Sequence, residues 1–124
     1  MDGEASKEVT EFLTQLVRLN GTMQQLFATG NVALFTEMND AIKKMHAVQH
    51  GNRDAVLEAL DPECVVIYGN FDMIIKILRT TEDGVIDGGA QKAINKFLHN
   101  IDEAVVNIAR AVGLVSAQRR FGHA

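Results

Sequence analysis

The chain has 124 residues, of which 47% are hydrophobic and 6% aromatic, and its formal net charge is −4. This length suits one domain, the hydrophobic content excludes an intrinsically disordered chain, and the mild acidity disfavours nucleic acid or an anionic membrane as the main partner. Cys64 is the single cysteine, so no intramolecular disulfide can form, and a reducing compartment is favoured.

The N-terminal part predicts a flexible end over residues 1–5 and a helix from its cap, Ser6, to about Ala28. Its apolar residues recur every three or four positions, which places them on one face of a helix. Asn20-Gly21 lies inside this run without changing its phase. We expect neither a secretory leader nor a membrane span, and therefore a soluble, cytoplasmic protein. The apolar face consists of Val9, Phe12, Leu16, Leu19, Met23 and Leu26.

A second helix is predicted after Thr29-Gly30-Asn31, a stop followed by a new cap, and it should end near Gly51. Its apolar residues have the same helical spacing. Asn52 is the predicted cap of a short helix that extends to Leu60. The apolar face of the second helix consists of Leu34, Phe35, Met38, Ala41, Ile42, Met45 and Val48.

Residues 62–80 allow two interpretations. Asp61-Pro62-Glu63 is typical of a helix start, and Cys64, Tyr68, Phe71, Ile75 and Leu78 have helical spacing. The β-branched residues around Gly69-Asn70 also fit a β-hairpin. We favour the helix because no third strand is indicated elsewhere and an isolated hairpin is only marginally stable.

The last helix is predicted from Gly89 to Val115, with Asp87 as its cap and residues 116–124 as a flexible end. Together these elements predict an all-α fold, an antiparallel bundle of four long helices and one short helix in a single domain of residues 1–124. The apolar face of the last helix consists of Ala90, Ile94, Phe97, Ile101, Ala104, Ile108, Ala111 and Val115.

Motifs with possible chemistry are few. His46 and His50 lie four residues apart and could share a metal, but no third ligand can be named, so we expect no metal and no cofactor. Cys64 lies on an apolar face and is interpreted as a core residue rather than a nucleophile. With no nucleophile, acid–base pair or phosphate loop indicated, we expect a protein that is not an enzyme.

The clearest functional signal is an apolar surplus in residues 64–78 and 104–115. Such helices need cover from the rest of the chain or from a second protein. We therefore predict a non-enzymatic protein-interaction or assembly module that forms a homodimer, with any other protein partner unknown. The predicted interface residues are Ile101, Val105, Val106, Ala109, Val112 and Leu114.

Two alternative functions stay open. A nucleic-acid-associated accessory protein could use the basic residues Arg110, Arg119 and Arg120. A ligand- or metal-binding bundle could use His46 and His50. We place both below the interaction module, because two adjacent arginines and a single histidine pair are small signals.

Overall fold

The computed structural model describes residues 7–51, 54–81 and 86–113. Within these ranges the secondary structure is helical and contains no strand. The predicted all-α fold, with four long helices and one short one, is confirmed. The predicted flexible ends, residues 1–5 and 116–124, lie outside the described residues. The helices are α1 (Lys7–Thr29), α2 (Leu34–Gly51), α3 (Ala55–Ala59), α4 (Asp61–Thr80) and α5 (Gly88–Ala111).

The chain divides into two compact units, Met1–Asp61 and Pro62–Ala124. The first unit contains α1, α2 and α3, and the second contains α5 and all of α4 after its first residue. No described helix is both long and apolar enough to cross a bilayer.

In the first unit, α1 and α2 pack together as an αα-hairpin. The connection between them is four residues long, which returns the chain antiparallel to α1. Gly30 has a φ of 67°, a left-handed value that glycine adopts without steric cost. The side chain of Asn31 then accepts a hydrogen bond of 3.1 Å from the backbone N–H of Ala33. The predicted stop and new start at Thr29-Gly30-Asn31 are therefore confirmed.

The buried face of α1 contains every apolar residue that the spacing predicted there, and it also buries the polar residues Gln15 and Thr22. On α2 the predicted Leu34 and Val48 are only half-buried, while the polar Gln49 is buried. Gln49 donates a hydrogen bond of 3.0 Å from its side chain to Oδ1 of Asp61, which compensates part of the cost of burying its amide.

The start of α3 differs from the prediction. Asp54 is the cap, and its carboxylate accepts hydrogen bonds from the backbone N–H groups of Val56 and Leu57, at 2.8 and 3.3 Å. The prediction that Asn52 caps this helix was wrong. Both residue types are good caps, so their identity alone does not distinguish the two positions.

Residues 62–80 are helical throughout, so the β-hairpin alternative was wrong. Gly69 and Asn70 lie in the helix interior. The buried residues of α4 are Cys64, Ile67, Phe71 and Ile74, whereas the predicted Tyr68, Ile75 and Leu78 are only half-buried. The true apolar face is therefore rotated from the predicted one by part of a turn.

The α5 helix has the predicted cap, because Oδ1 of Asp87 accepts a hydrogen bond of 2.7 Å from the backbone N–H of Ala90, and it begins at Gly88, one residue before the predicted Gly89. It ends at Ala111, earlier than the predicted Val115, which lies outside the described residues. Gly113 takes a φ of 85°, which a right-handed helix does not contain. The buried residues of α5 are Ile94, Leu98, Ile101, Ala104, Val105 and Ile108.

Two side-chain hydrogen bonds define the packing of α4 against α5. Asn100 donates to Asn70 at 2.9 Å, and Asn107 donates to Glu63 at 3.1 Å. Between these two bonds the α5 partner advances by seven residues while the α4 partner moves back by seven. The two helices are therefore antiparallel and pack at a constant register.

Candidate interaction surface

Several large apolar side chains on α4 are exposed to solvent. Val65 is 59% exposed, Met73 42% and Val66 37%, although α4 also contributes four residues to the core. At 100° per residue these three side chains lie on the side of the helix opposite Cys64, Ile67 and Ile74. Together with Gly69 they form a surface that we call the α4 outer face: Val65, Val66, Gly69 and Met73.

Gly69 lies at the centre of the α4 outer face, one turn after Val65 and one turn before Met73. A Cβ atom built on Gly69 would have no heavy atom within 4 Å, and its φ is not positive. Nothing within the described part of the chain therefore requires glycine here. A helix-interior glycine costs about 0.5–1 kcal/mol relative to alanine. Because Gly69 has no side chain, the helix surface has a shallow depression at this position. Its floor is backbone, and apolar side chains lie at both ends.

Charged residues lie along one side of the α4 outer face, and one of them, Lys76, lies within its arc about one turn beyond Met73. Asp72 and Lys76 form an exposed ion pair of 3.1 Å one turn apart. Asp61 lies at the start of the helix and Arg79 in its last turn, both exposed. Helical geometry puts these four residues within about 60° of each other around the axis. We call them the α4 charged edge: Asp61, Asp72, Lys76 and Arg79.

The other edge of α4 is occupied by its contacts with α5. Glu63 and Asn70 accept the hydrogen bonds from Asn107 and Asn100, and both are half-buried. The amide of Asn70 is further oriented because its Nδ2 atom donates to the carbonyl oxygen of Val66 at 2.7 Å. These bonds fix the rotation of α4 about its axis, so the α4 outer face is held towards solvent.

The predicted interface residues of α5 lie in less exposed positions than the α4 outer face. Ile101 and Val105 are buried in the core, at 0% and 4% exposure. Val106 and Val112 are half-buried, as is Ala109, and Leu114 lies outside the described residues. The α5 interface stays a prediction, but its described residues offer a second protein less apolar surface than Val65 and Met73 do.

The histidine pair of α2 is close together. The rings of His46 and His50 have centroids 4.0 Å apart and are inclined by 35°, and both residues are exposed. Within residues 7–51, 54–81 and 86–113 no group of three or more histidine, cysteine, aspartate or glutamate side chains is arranged to hold a metal ion. The structure thus adds no third ligand to the sequence-predicted pair.

The other sequence candidates are not brought together by the described structure. Cys64 is fully buried on the core side of α4. Arg110 is exposed in the last turn of α5, whereas Arg119 and Arg120 lie outside the described residues. A basic surface built from all three arginines therefore gains no geometric support.

A polar cavity of about 310 Å³ lies in the first unit, lined by Gln49, His50, Glu58 and Asp61. Its lining contains two carboxylates and one imidazole, and three of the four residues are exposed. The one buried member, Gln49, is already hydrogen-bonded to Asp61. The cavity therefore offers no buried polar atom that still needs a ligand.

Arg18 forms a charge cluster that the sequence did not indicate. Its guanidinium reaches from α1 to α2 and forms ion pairs of 2.6 Å with both Glu37 and Asp40, while Lys44 pairs with Asp40 at 3.2 Å. Hydrogen bonding from Arg18, followed by that from Lys44, lowers the pKa of Asp40. All four side chains are substantially exposed, and the cluster fixes the α1–α2 hairpin rather than forming a binding cleft.

No protein family, curated protein or solved structure matches this chain. The α4 outer face combines three large exposed apolar side chains, Val65, Val66 and Met73, on one side of one helix.

Proposed function

We propose that this chain is a non-enzymatic protein-interaction or assembly module that self-associates through apolar helix faces. The observation that carries the proposal is the exposure of Val65 and Met73 on a helix whose opposite side already fills the core. Contiguous exposed apolar surface on a rigid helix is typical of a protein contact. We place the contact on the α4 outer face in preference to the predicted residues of α5, because the described ones among the latter are buried or half-buried.

The exposed apolar side chains set the energetic scale of the contact, which is weak. Full burial of a valine or methionine side chain is worth about 1.5–3 kcal/mol, and Val65 and Met73 retain only part of that gain because they are already partly covered. Two copies contribute these side chains twice. The sum is a few kcal/mol and the cost of association is of similar size, so these side chains alone predict only weak self-association.

The non-enzymatic part of the proposal comes from the sequence, in which no nucleophile, acid–base pair or phosphate-binding loop is indicated. A cytoplasmic location is proposed with it. The single cysteine is buried at Cys64, and such a thiol is typical of proteins from a reducing compartment.

A matched pair of substitutions tests the proposal. Val65 on α4 and Val17 on α1 are almost equally exposed, at 59% and 58%. Val65→Asp should weaken self-association measured by sedimentation equilibrium, whereas Val17→Asp should leave it unchanged. The two variants should have similar melting temperatures, because neither side chain belongs to the core. A native chain that sediments as a monomer at every accessible concentration would refute self-association.

A further inference from the structure

We propose that two copies of this chain pair through α4 in antiparallel orientation, with the two Gly69 residues meeting at the two-fold axis. This inference rests on the proposed self-association and specifies its geometry. It commits to a second copy of the same chain as the occupant of the α4 outer face. Three features of α4 carry it: the symmetric placement of the apolar side chains, the open backbone at Gly69 and the distribution of charge along the helix.

The apolar side chains are placed symmetrically about Gly69. Val65 precedes it by four residues and Met73 follows it by four. An antiparallel two-fold pairing centred on Gly69 therefore sets Val65 of each copy against Met73 of the other. In a two-fold dimer both copies use the same surface patch. The patch must therefore be complementary to itself after a rotation of 180°.

Gly69 permits the two helices to approach closely. The distance between packed helix axes depends on the side chains at the contact, and it is smallest where these are small. The position above Gly69 is open in the described structure, because no heavy atom lies within 4 Å of the point that a Cβ atom would occupy. Two such depressions facing each other bring the flanking Val65 and Met73 side chains into contact across the pair.

The charges of α4 select the antiparallel orientation. The helix carries Asp61 at its start and Lys76 and Arg79 near its end, all exposed on the α4 charged edge. When position 69 faces position 69, the level of Asp61 in one copy falls between Lys76 and Arg79 of the other. A two-fold axis perpendicular to the helices also brings the same edge of both copies together. Opposite charges thus meet at both ends, and the helix dipoles oppose each other favourably.

A parallel pairing lacks these attractions. The two-fold axis of a parallel pair places the α4 charged edges of the two copies on opposite sides of the contact, so Asp61 gains no basic neighbour across it, and the helix dipoles repel. The relative orientation of the two α4 helices is therefore the property that an experiment can test most directly.

A charge-exchange experiment on the full chain tests it. One variant carries Lys76→Glu and Arg79→Glu, and the other carries Asp61→Lys. Each variant alone places like charges at both ends of its own antiparallel pair, and should dimerise about tenfold or more weakly than the native chain. Mixed together they restore opposite charges at both ends. We expect a heterodimer with close to native affinity in analytical ultracentrifugation.

Cysteine cross-linking provides a second measurement, because Asp61→Lys also removes the hydrogen bond from Gln49 and can weaken the fold. Chains carrying Val65→Cys and chains carrying Met73→Cys are mixed and oxidised. Antiparallel pairing predicts that the mixed disulfide, between position 65 of one chain and position 73 of the other, predominates in mass spectra. The native chain, whose only thiol is the buried Cys64, is the control.

The outcomes separate this inference from the proposed function. A predominance of 65–65 and 73–73 disulfides, or equal dimerisation of the mixed and the separate charge variants, overturns antiparallel pairing. If the native chain still dimerises and Val65→Asp weakens the dimer, the proposed function stands without it. A native chain that stays monomeric overturns both.

Discussion

Asn100 donates a hydrogen bond of 2.9 Å from its Nδ2 atom to the Oδ1 atom of Asn70, across thirty residues of sequence. The Nδ2 atom of Asn70 meanwhile donates to the carbonyl of Val66, so the orientation of this amide follows from its hydrogen-bond network. The pair lies near the middle of both α4 and α5. It therefore fixes which side of α4 faces α5 and, by consequence, which side forms the α4 outer face.

Replacement of Asn100 by alanine should lower the free energy of unfolding by about 0.5–1.5 kcal/mol, the usual net contribution of one intramolecular hydrogen bond. Asn95→Ala is the control, since Asn95 is exposed on the same helix, loses only a solvent-exposed hydrogen bond from Gln91 and has the same gain in helix propensity. A double-mutant cycle with Asn70→Ala, measured by urea unfolding, gives the coupling energy. Additive single effects would show that the two amides do not interact in solution.

Two glycines should respond to alanine substitution with opposite signs. Gly30 has a φ of 67° and Gly21 lies inside α1, and neither has an atom within 4 Å of a Cβ position. Gly30→Ala should destabilise the chain by about 1–2 kcal/mol through backbone strain alone. Gly21→Ala should stabilise it by about 0.5–1 kcal/mol, because alanine has the higher helix propensity.

The comparison of Gly30→Ala and Gly21→Ala by thermal unfolding contains its own control, since the same methyl group is added to open space in both. Equal effects at the two sites would contradict the left-handed conformation of Gly30. That conformation is also what separates α1 from α2 as two helices rather than one.

The extent of α4 could be predicted from the sequence, but its orientation could not. Asp61-Pro62 marks the helix start, and the apolar spacing continues through Gly69-Asn70. Because apolar residues occur all around this helix, more than one set of them has helical spacing and could form the buried face. Only packing against other helices selects Ile67 and Ile74 for the core rather than Tyr68 and Ile75.

The end of α5 and the Arg18 cluster show two further limits of the sequence. The apolar spacing of α5 continues to Val115, although the helix ends at Ala111, because a hydrophobic pattern does not record the left-handed Gly113. Arg18 contacts Glu37 and Asp40, which are nineteen and twenty-two residues away. Contacts between helices depend on tertiary register, which no local pattern contains.

The Arg18 cluster should make stability depend on pH in the acid range. Hydrogen bonding from Arg18 and Lys44 lowers the pKa of Asp40 below its ordinary value of 3.8. The unfolded chain therefore binds the proton more readily than the folded chain. The stabilisation from this carboxylate is present above pH 3.8 and is lost as the pH falls through the lower pKa of the folded state.

Asp40→Asn should accordingly be less stable than the native chain near neutral pH, and the difference should shrink as the pH falls below 3.8. Melting temperatures measured across this range check it. Because the side chains are exposed, high salt should also reduce the difference at neutral pH. A difference that is independent of both pH and salt would assign the effect of Asp40 to helix propensity.

Ile101→Ala should destabilise the chain by about 2–5 kcal/mol, because Ile101 is completely buried and its truncation leaves a cavity. Val17→Ala, at an exposed position, should change the free energy of unfolding by no more than about 0.5 kcal/mol. Urea unfolding of both variants makes the comparison. A small effect of Ile101→Ala would mean that Ile101 is accessible, as its predicted interface role on α5 requires.

The α4 and α5 surfaces can be distinguished by replacing valine with threonine, which keeps the shape of the side chain and adds one hydroxyl group. Val65→Thr should weaken dimerisation, since it replaces an apolar methyl group of the proposed contact with a polar hydroxyl group that must leave water on association. Val106→Thr lies on the half-buried flank of α5 and should leave the dimerisation constant unchanged. Sedimentation equilibrium of both variants against the native chain decides between them. If Val106→Thr weakened the dimer and Val65→Thr did not, the contact would belong to the residues first predicted on α5.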